Sequence, residues 1–229
     1  MIIGSGLIAK AFAPHVKSLH DTCVYAAGVS NSSCRDEQEF KRDRQRLDAA
    51  LASTDPSTLI IYFSTCSIDD PWSRDNPYPT HKRRLEDAVR ERQKHLIIRL
   101  PQVAGKTPNP HTLLNYLHSR IARSERFDLW RNSCRNIIDI DDIVRLVLHL
   151  VANEHVSAET INIANPRNYS LMEIVSAMET VTRHQAIYNT LDKGGQYAID
   201  TNRIAVAIRQ CAIHFDDCYL LRTLRKYYM

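Results

Sequence analysis

Residues 59–82 read LIIYFSTCSIDDPWSRDNPYPTHK, and the rest of the chain is interpreted around this stretch. It begins with a continuous apolar run, 59–63, which predicts a buried strand of a parallel sheet. Prolines in the middle indicate a loop, and Pro79 suits the first turn of a helix that runs through Lys82. On that helix Tyr78 and Lys82 are four residues apart and share one face.

The same stretch carries the residue types of carbonyl–alcohol chemistry. A lysine ammonium beside a phenol stabilises the phenolate, so Lys82 is expected to lower the pKa of Tyr78. A hydroxyl at the end of the preceding strand, Thr65, is expected to meet both groups at one carbonyl. The trio predicts interconversion of a carbonyl and an alcohol with a nicotinamide. A tyrosine and a lysine at this spacing are common by chance, so the prediction depends on the surrounding site.

A glycine-rich turn lies at the N-terminus, where 1–3 lead into Gly4-Ser5-Gly6-Leu7-Ile8-Ala9. Its G-x-G-x-x-A pattern allows a tight turn, close approach of the backbone to a pyrophosphate, and close packing of helix on strand. With so few residues before Gly4, either the first strand is minimal or the chain begins further upstream. Residues 22–27 predict the next strand, whose small-residue end at Ala27 and Gly28 allows a flat ligand to lie against it; an ordinary turn explains that end equally well.

Strand and helix patterns alternate along the rest of the chain, which predicts a parallel sheet flanked by helices. Residues 35–54 are charged with a thin apolar stripe, and predict a surface helix without a site. The remaining predicted elements are a strand at 96–100, a loop at 102–110, a helix at 111–123, a strand entering a helix at 135–142 with Asp141 or Asp142 as its cap, a strand at 160–164, a helix from the capping box of Ser170 and Glu173, a turn at Gly194-Gly195 and a helical remainder.

Length, charge and cysteine content limit the classes of protein. A chain of 229 residues predicts one domain, or one domain with a small appendage, that needs neither disulfides nor structural metal. No apolar run reaches the roughly 18 residues of a membrane-spanning helix, and the N-terminus does not resemble a signal peptide. Six cysteines without a CxxC pair indicate reduced thiols of a cytoplasmic protein and no metal site. A net charge of +4 without a basic cluster argues against nucleic-acid binding and suits phosphate-bearing small molecules.

Seven segments, in order, resemble the extended short-chain dehydrogenase/reductases, the nucleotide-sugar epimerase/dehydratase family. They are Gly4-Ser5-Gly6-Leu7-Ile8-Ala9, Ala26-Ala27-Gly28, Ser64-Thr65, Tyr78-x-x-x-Lys82, Arg99-Leu-Pro-Gln-Val-Ala-Gly105, Arg135-Asn-Ile-Ile-Asp-Ile-Asp-Asp142 and Asn162-Ile-Ala164. The resemblance implies an α/β fold with a Rossmann-like doubly wound parallel sheet, shortened in its first half, and a small C-terminal substrate-binding region. It implies a single domain over 1–229, in which 1–100 is mainly dinucleotide-binding and 101–229 is mixed.

By this resemblance the chain binds NAD or NADP and acts on a nucleotide-activated sugar. The implied acid/base is Tyr78, and Lys82 holds the nicotinamide ribose. Thr65 binds the substrate oxygen, with Cys66 or Ser67 as alternatives. The implied cofactor-binding residues are Gly4, Ser5, Gly6, Leu7, Ile8, Ala27, Gly28, Ser64, Tyr78, Lys82 and Pro101. The implied substrate-binding residues are Cys66, Gln102 and Arg135. The fork of Arg135 suits a nucleotide diphosphate, and a surface arginine is the alternative.

Three features depart from the family pattern. Only a short helix separates the glycine loop from 26–28, where the family has two further strands and a helix. That missing part carries the acidic residue that binds the adenosine ribose, and Asp21, which precedes a strand, is a poor substitute. Ile3 occupies the family's first glycine position, and the connection from Thr65 to Tyr78 is short. The adenine side of the cofactor site is therefore expected to be reduced or rebuilt from other residues.

Two functions remain open from the sequence. One is an NAD(P)-dependent epimerase or ketoreductase of surface-polysaccharide (O-antigen or capsule) biosynthesis. The other is a non-catalytic nucleotide-sugar-binding relative that has lost tight dinucleotide binding. Dehydratases of this family carry an Asp-Glu pair where Cys66 and Ser67 stand here, so dehydration is less expected. A cytoplasmic monomer or homodimer is expected, and the charge on the two candidate interface helices is compatible with a monomer.

Overall fold

The computed structural model describes residues 1–73, 75–154 and 156–229. The strands are β1 (Ile2–Ile3), β2 (Thr22–Tyr25), β3 (Leu59–Thr65), β4 (His95–Leu100), β5 (Gln102–Ala104), β6 (Phe127–Trp130), β7 (Cys134–Arg135), β8 (Ile137–Asp139), β9 (Glu159–Asn162), β10 (Tyr169–Ser170) and β11 (Tyr188–Leu191). The helices are α1 (Leu7–Phe12), α2 (Glu37–Ser53), α3 (Pro77–Arg90), α4 (Leu113–Ala122), α5 (Ile140–Asn153), α6 (Leu171–Thr182), α7 (Ala205–Gln210) and α8 (Tyr219–Tyr228). None of these described helices is long and apolar enough to cross a membrane.

Five strands form the central sheet in the order β1-β2-β3-β4-β9, and all neighbours are parallel. Successive side chains of β3 point to opposite faces. Ile60 and Tyr62 pack with α2 and α3 on one face, whereas Ile61 and Phe63 pack with α1 and α5 on the other. Helices on both faces confirm the predicted Rossmann-like doubly wound parallel sheet.

The first half of this sheet is short. β1 consists of Ile2 and Ile3, which pair with Val24 and Tyr25 of β2. In the fully described stretch between α1 and β2 there is one 3-10 turn, 13–18, and no strand. In the described sheet β1 therefore has two residues and lies at the edge.

The start of α3 is fixed by its cap. Asn76 Oδ1 accepts a hydrogen bond from the Tyr78 N–H at 3.0 Å, and Pro77 occupies the first helical position, where no N–H is needed. Pro79 lies in the first turn, as predicted. The cap therefore places Tyr78 in the first turn of α3, and Lys82 follows one turn later. Both side chains are buried.

A second core lies in the C-terminal region, where α4, α6, α8 and β6 pack together. The predicted capping box at the start of α6 is confirmed, since Ser170 Oγ accepts from the Glu173 N–H and Glu173 accepts from the Ser170 N–H.

Tyr219 of α8 joins this region to α5, because its hydroxyl donates to Asp142 at 2.7 Å and accepts from the Asp139 N–H at 2.9 Å. The division of the chain near residue 100 stays a prediction.

Several local predictions are wrong. Part of the loop predicted at 102–110 is β5, which pairs in parallel with β8 because the chain leaves the central sheet at Pro101. The cap of α5 is Asp139, whose carboxylate accepts from the Asp141 N–H at 2.9 Å, and not Asp141 or Asp142. The parallel pair of β6 and β11 was not predicted, and the C-terminal remainder is only partly helical.

An ion-pair network ties α3 to β4. Glu86 of α3 is fully buried, and its carboxylate accepts from Arg99 at 2.8 and 2.9 Å and from Arg90 at 2.7 Å. Burial opposes ionisation of Glu86, but the hydrogen bonds from Arg99 outweigh it and hold the pKa of Glu86 below its ordinary value.

Substituting Arg99→Ala should therefore lower the free energy of unfolding by about 3–5 kcal/mol, because a buried carboxylate loses one of its two cationic partners. The matched control is Arg44→Ala on α2, where Arg44 forms an exposed pair with Asp48, and the expected change is below about 0.5 kcal/mol. Urea unfolding followed by circular dichroism measures both changes. Equal effects of the two substitutions would contradict the assignment of Glu86 as a paired buried charge.

Candidate active site

A cavity of about 820 Å³ opens at the carboxyl ends of β1 to β4. Its walls are the glycine loop between β1 and α1, the end of β2, the end of β3, the first turns of α3 and the segment that follows β4. In open α/β sheets, ligands bind in the crevice outside the carboxyl ends of the strands. The position of this cavity therefore makes it the candidate active site.

The glycine loop leaves room for a ligand at the start of α1. Gly4 has φ of +132°, and a Cβ there would lie 2.3 Å from the Ala26 carbonyl oxygen, so close packing requires glycine. Gly6 caps α1, and a Cβ at this position would meet nothing within 4 Å. Open space above a helix N-terminus fits a pyrophosphate, because the first N–H groups there have no partner within the helix.

Lys82 also lines the cavity, although it is only 3% exposed. Its Nζ donates to Tyr62 Oη at 3.2 Å and to the Phe63 carbonyl at 3.4 Å, and lies 5.9 Å from the centre of the Tyr78 ring. A Cβ on Gly28 would lie 2.9 Å from this Nζ, so a larger residue there would require the ammonium to shift. The tyrosine and the lysine share one face of α3, as the spacing predicts.

The direction of the Tyr78 pKa shift differs from the sequence expectation. Burial raises the pKa of the Tyr78 phenol, and the Asp43 carboxylate adds to that shift. Burial also lowers the pKa of Lys82, although Asp43 and Glu86 oppose the change. The structure therefore shows the opposite direction to the lowering of the Tyr78 pKa that was expected from Lys82.

Thr65 ends β3 and caps a 3-10 turn at 66–69. Its Oγ1 accepts from the Ser67 N–H at 3.1 Å and donates to Ser67 Oγ at 3.1 Å, and both hydroxyl residues line the cavity. Cys66 between them is turned inward and is 2% exposed, and burial raises the pKa of its thiol to about 12. Of the two alternatives, Ser67 lines the cavity and Cys66 does not, and the role of either residue at the substrate stays a prediction.

The structure brings most of the other predicted residues together. The cavity is lined by Gly4, Ser5, Gly6, Leu7, Ile8, Ala27, Gly28, Ser64, Thr65, Tyr78, Lys82, Pro101 and Gln102. Arg135 does not line this cavity; it lies in β7, where its Nη1 donates to the Cys134 carbonyl at 2.7 Å. It is near Tyr197, where burial raises the pKa of the phenol and the Arg135 guanidinium opposes the shift. The roles of all these residues stay predictions.

Sequence reasoning assigned no site to α2, yet this helix contributes Asp43 and Arg46. Asp43 is 2% exposed, and its Oδ2 accepts from the Val29 N–H at 3.1 Å and pairs with His81 Nε2 at 3.0 Å. Burial opposes the ionised form, but the His81 hydrogen bond and Lys82 hold the pKa of Asp43 below its ordinary value. The burial of Asp43 could have been noticed in the sequence, because Asp43 lies four residues before Leu47 and therefore on the apolar stripe of the helix.

Comparisons with known proteins agree with this geometry. A family model, the NAD dependent epimerase/dehydratase family, matches residues 60–164, from β3 to just beyond β9. None of the curated proteins compared with the chain matches it. The family match, with the fold of the solved structures described next, confirms the resemblance that the sequence segments carry.

Three solved structures with the same fold are informative. RMD from Pseudomonas aeruginosa, complexed with NADPH, is 14% identical with a TM-score of 0.73, and the match covers 98% of this chain and 94% of that one. The Bordetella bronchiseptica enzyme WbmH, in complex with NAD+, is 15% identical with a TM-score of 0.71, over 96% and 78%. UDP-glucuronic acid 4-epimerase from Bacillus cereus, in complex with UDP-glucuronic acid and NAD, is 21% identical with a TM-score of 0.71, over 91% and 75%.

The two glycines of the loop provide a test of its geometry. Gly4→Ala should lower the free energy of unfolding by at least about 1–3 kcal/mol, because the residue has positive φ and its new methyl group meets the Ala26 carbonyl. Gly6→Ala should leave the free energy of unfolding within about 0.5 kcal/mol, since the added methyl group enters open space. Thermal and urea unfolding measure both, and a Gly6→Ala variant as unstable as Gly4→Ala would count against this loop conformation.

Proposed function

Because residues 60–164 match the NAD-dependent epimerase/dehydratase family, we propose that this chain is an NAD(P)-dependent epimerase or ketoreductase of nucleotide-activated sugars, acting in surface-polysaccharide biosynthesis such as that of O-antigen or capsule. The observation that carries the proposal is the meeting of Thr65, Tyr78 and Lys82 with the glycine loop in one cavity. The glycine loop follows β1, Thr65 ends β3, and Tyr78 and Lys82 lie on successive turns of α3. The fold brings these three segments to one cavity.

A nicotinamide dinucleotide, when bound, supplies or accepts the hydride of this chemistry. The glycine loop offers its N–H groups to the pyrophosphate, and Ala27 and Gly28 offer a flat wall at the end of β2. Lys82 is the ammonium available to the nicotinamide ribose. These assignments use residues that line the cavity, and the space above Gly6 suits them.

Tyr78 is the proton donor of the proposed reaction. Because burial raises the pKa of its phenol, Tyr78 stays protonated near neutral pH and is ready to donate to a carbonyl oxygen as it becomes an alcohol. In the reverse direction the same oxygen takes up a proton. The linked hydroxyls of Thr65 and Ser67 offer a second hydrogen-bond donor to the substrate oxygen.

Elimination of water is less well supported than epimerisation or reduction. Such elimination needs an additional acid/base group, and the positions after Thr65 hold a buried thiol, whose pKa burial raises to about 12, and a serine hydroxyl. Neither is a carboxylate. The Bacillus cereus neighbour, named as a UDP-glucuronic acid 4-epimerase, supports a nucleotide sugar as the substrate class of the proposal.

The second candidate function is nucleotide-sugar binding without catalysis. The observation that favours it is the shortened first half of the sheet, since β1 is an edge strand and no carboxylate among the described residues lines the cavity to bind the adenosine ribose. In this alternative the cavity accepts a nucleotide sugar but holds a dinucleotide too weakly for turnover.

A binding experiment separates the two functions. Purified protein is titrated with NADH, NADPH and a panel of nucleotide sugars, with thermal shift and nicotinamide fluorescence as readouts. A response to a dinucleotide supports the enzyme, and a response to nucleotide sugars alone supports the binding relative. If folded protein responds to neither dinucleotide, the enzyme proposal is wrong.

Replacing Tyr78→Phe should reduce kcat on the nucleotide sugar by about 10²–10⁴ through loss of the proton donor, while the Kd of the dinucleotide stays within roughly threefold. The control is Tyr116→Phe, which removes the hydroxyl of an exposed tyrosine outside the cavity and should leave kcat unchanged. Product formation is followed by NMR, which detects epimerised and reduced sugars alike. Unchanged kcat in Tyr78→Phe would remove this residue from the acid/base role.

A further inference from the structure

The charged side chains around the cavity have one sign. Lys10, Arg46, Lys82 and Lys106 line it together with His111, and among the described lining residues there is no aspartate or glutamate. Lys82 is buried next to Gly28, with the Asp43 carboxylate as its counter-charge. The remaining cations face a space that contains no opposite charge, which favours a ligand with several negative charges.

A dinucleotide carries one position whose charge distinguishes its two forms. NAD has a hydroxyl at the 2′ position of the adenosine ribose, and NADP has a phosphate there. In dinucleotide-binding folds, a carboxylate about 20 residues after the glycine loop accepts the hydroxyl, whereas a nearby arginine accommodates the phosphate. The charges around the adenosine ribose therefore decide whether NAD or NADP is favoured.

Asp21, the first acidic residue after the glycine loop, does not line the cavity. Asp21 directly precedes β2 and so lies at the amino end of the strand, whereas the cavity lies at the carboxyl end. The four residues of β2 separate the two by roughly 13 Å. A 2′-hydroxyl thus finds no carboxylate acceptor among the described lining residues, and none of these residues puts a negative charge against a 2′-phosphate.

Two cations are placed beside the glycine loop. Arg46 of α2 is exposed, and its Nη1 donates to the Ala27 carbonyl at 2.8 Å, which anchors the guanidinium at the end of β2. This bond uses one of the five N–H donors of the side chain. Lys10 lies one turn beyond Gly6, since its N–H donates to the Gly6 carbonyl at 3.0 Å, and it lines the cavity from α1.

We infer that this cavity selects NADP(H) over NAD(H), with Arg46 and Lys10 receiving the 2′-phosphate of the adenosine ribose. The inference rests on the proposed function, because it concerns the dinucleotide of the same site. A guanidinium fork binds two phosphate oxygens at once, and an ammonium adds a point charge. The chain thereby replaces recognition of a ribose hydroxyl by recognition of a phosphate.

Direct binding tests this selectivity without turnover. The full chain is titrated with NADPH and NADH by isothermal calorimetry at one ionic strength, and with adenosine 2′,5′-bisphosphate and adenosine 5′-monophosphate as fragments. We expect roughly tenfold or tighter binding of NADPH over NADH, and the same order for the two fragments. Equal or tighter binding of NADH overturns the inference while the proposed function stands, and binding of neither dinucleotide overturns both.

Variants assign the selectivity to residues. Arg46→Ala and Lys10→Ala should each weaken NADPH binding by roughly tenfold and leave NADH binding within about twofold. The matched control is Arg42→Ala on the same helix, where Arg42 is exposed, pairs with Glu39 and does not line the cavity. Circular dichroism checks that each variant is folded, and Arg46→Lys, which keeps the charge, provides a second variant at that position. Equal losses for both dinucleotides, or a loss as large in Arg42→Ala, would overturn the assignment.

Discussion

The burial of one ammonium group, that of Lys82, constrains much of the site. Removing a charge from water costs several kcal/mol unless acceptors and an opposite charge replace the lost hydration. Here Tyr62 and the Phe63 carbonyl provide the acceptors, and Asp43 provides the opposite charge. These contacts involve α2, α3 and β3 together, and a side chain at position 28 would press on the ammonium.

The same charges set the protonation state of the neighbouring phenol. The pKa of Tyr78 is raised first by burial and then by the Asp43 carboxylate, so the group that stabilises the lysine ammonium also disfavours the tyrosine phenolate. The phenol is therefore protonated near neutral pH. This state suits proton donation to a carbonyl, and a positively charged ring placed nearby would shift the phenol toward its ionised form.

Local patterns could be read from the sequence, and contacts across the chain could not. The apolar run at 59–63 and the capping box of Ser170 and Glu173 predict elements that the structure contains. The pairing of β5 with β8 and of β6 with β11 escaped prediction, because strands of three or four residues carry too little periodicity. Within the site, the glycine loop and the Tyr78-x-x-x-Lys82 motif each lie within a few consecutive residues. Their residues could therefore be picked out from the sequence, and they line the cavity.

Two residues show why the remainder of the site could not be predicted. Cys66 and Ser67 are equivalent by spacing, and only the 3-10 turn capped by Thr65 turns the thiol inward and the hydroxyl toward the cavity. Asp43 reads as part of a charged surface helix, and its partner His81 is 38 residues away on α3. A carboxylate on an apolar stripe was a visible sign of burial, but its partner required the fold.

The shortening of the sheet and the charge of the cavity are connected. In the described chain no strand lies beyond β1, so the strand end that carries a ribose-binding carboxylate in longer dinucleotide folds has no counterpart. The elements left to contact the adenosine side are α1 and α2, and they present Lys10 and Arg46. A short edge strand of two residues also offers little template for pairing with another chain. We therefore expect a nucleotide in this cavity to be held by its phosphates more than by its ribose hydroxyls. Because exposed charges are screened by salt, we expect the affinity for such a ligand to fall with ionic strength, whereas the attraction between the buried Lys82 and Asp43 is screened much less.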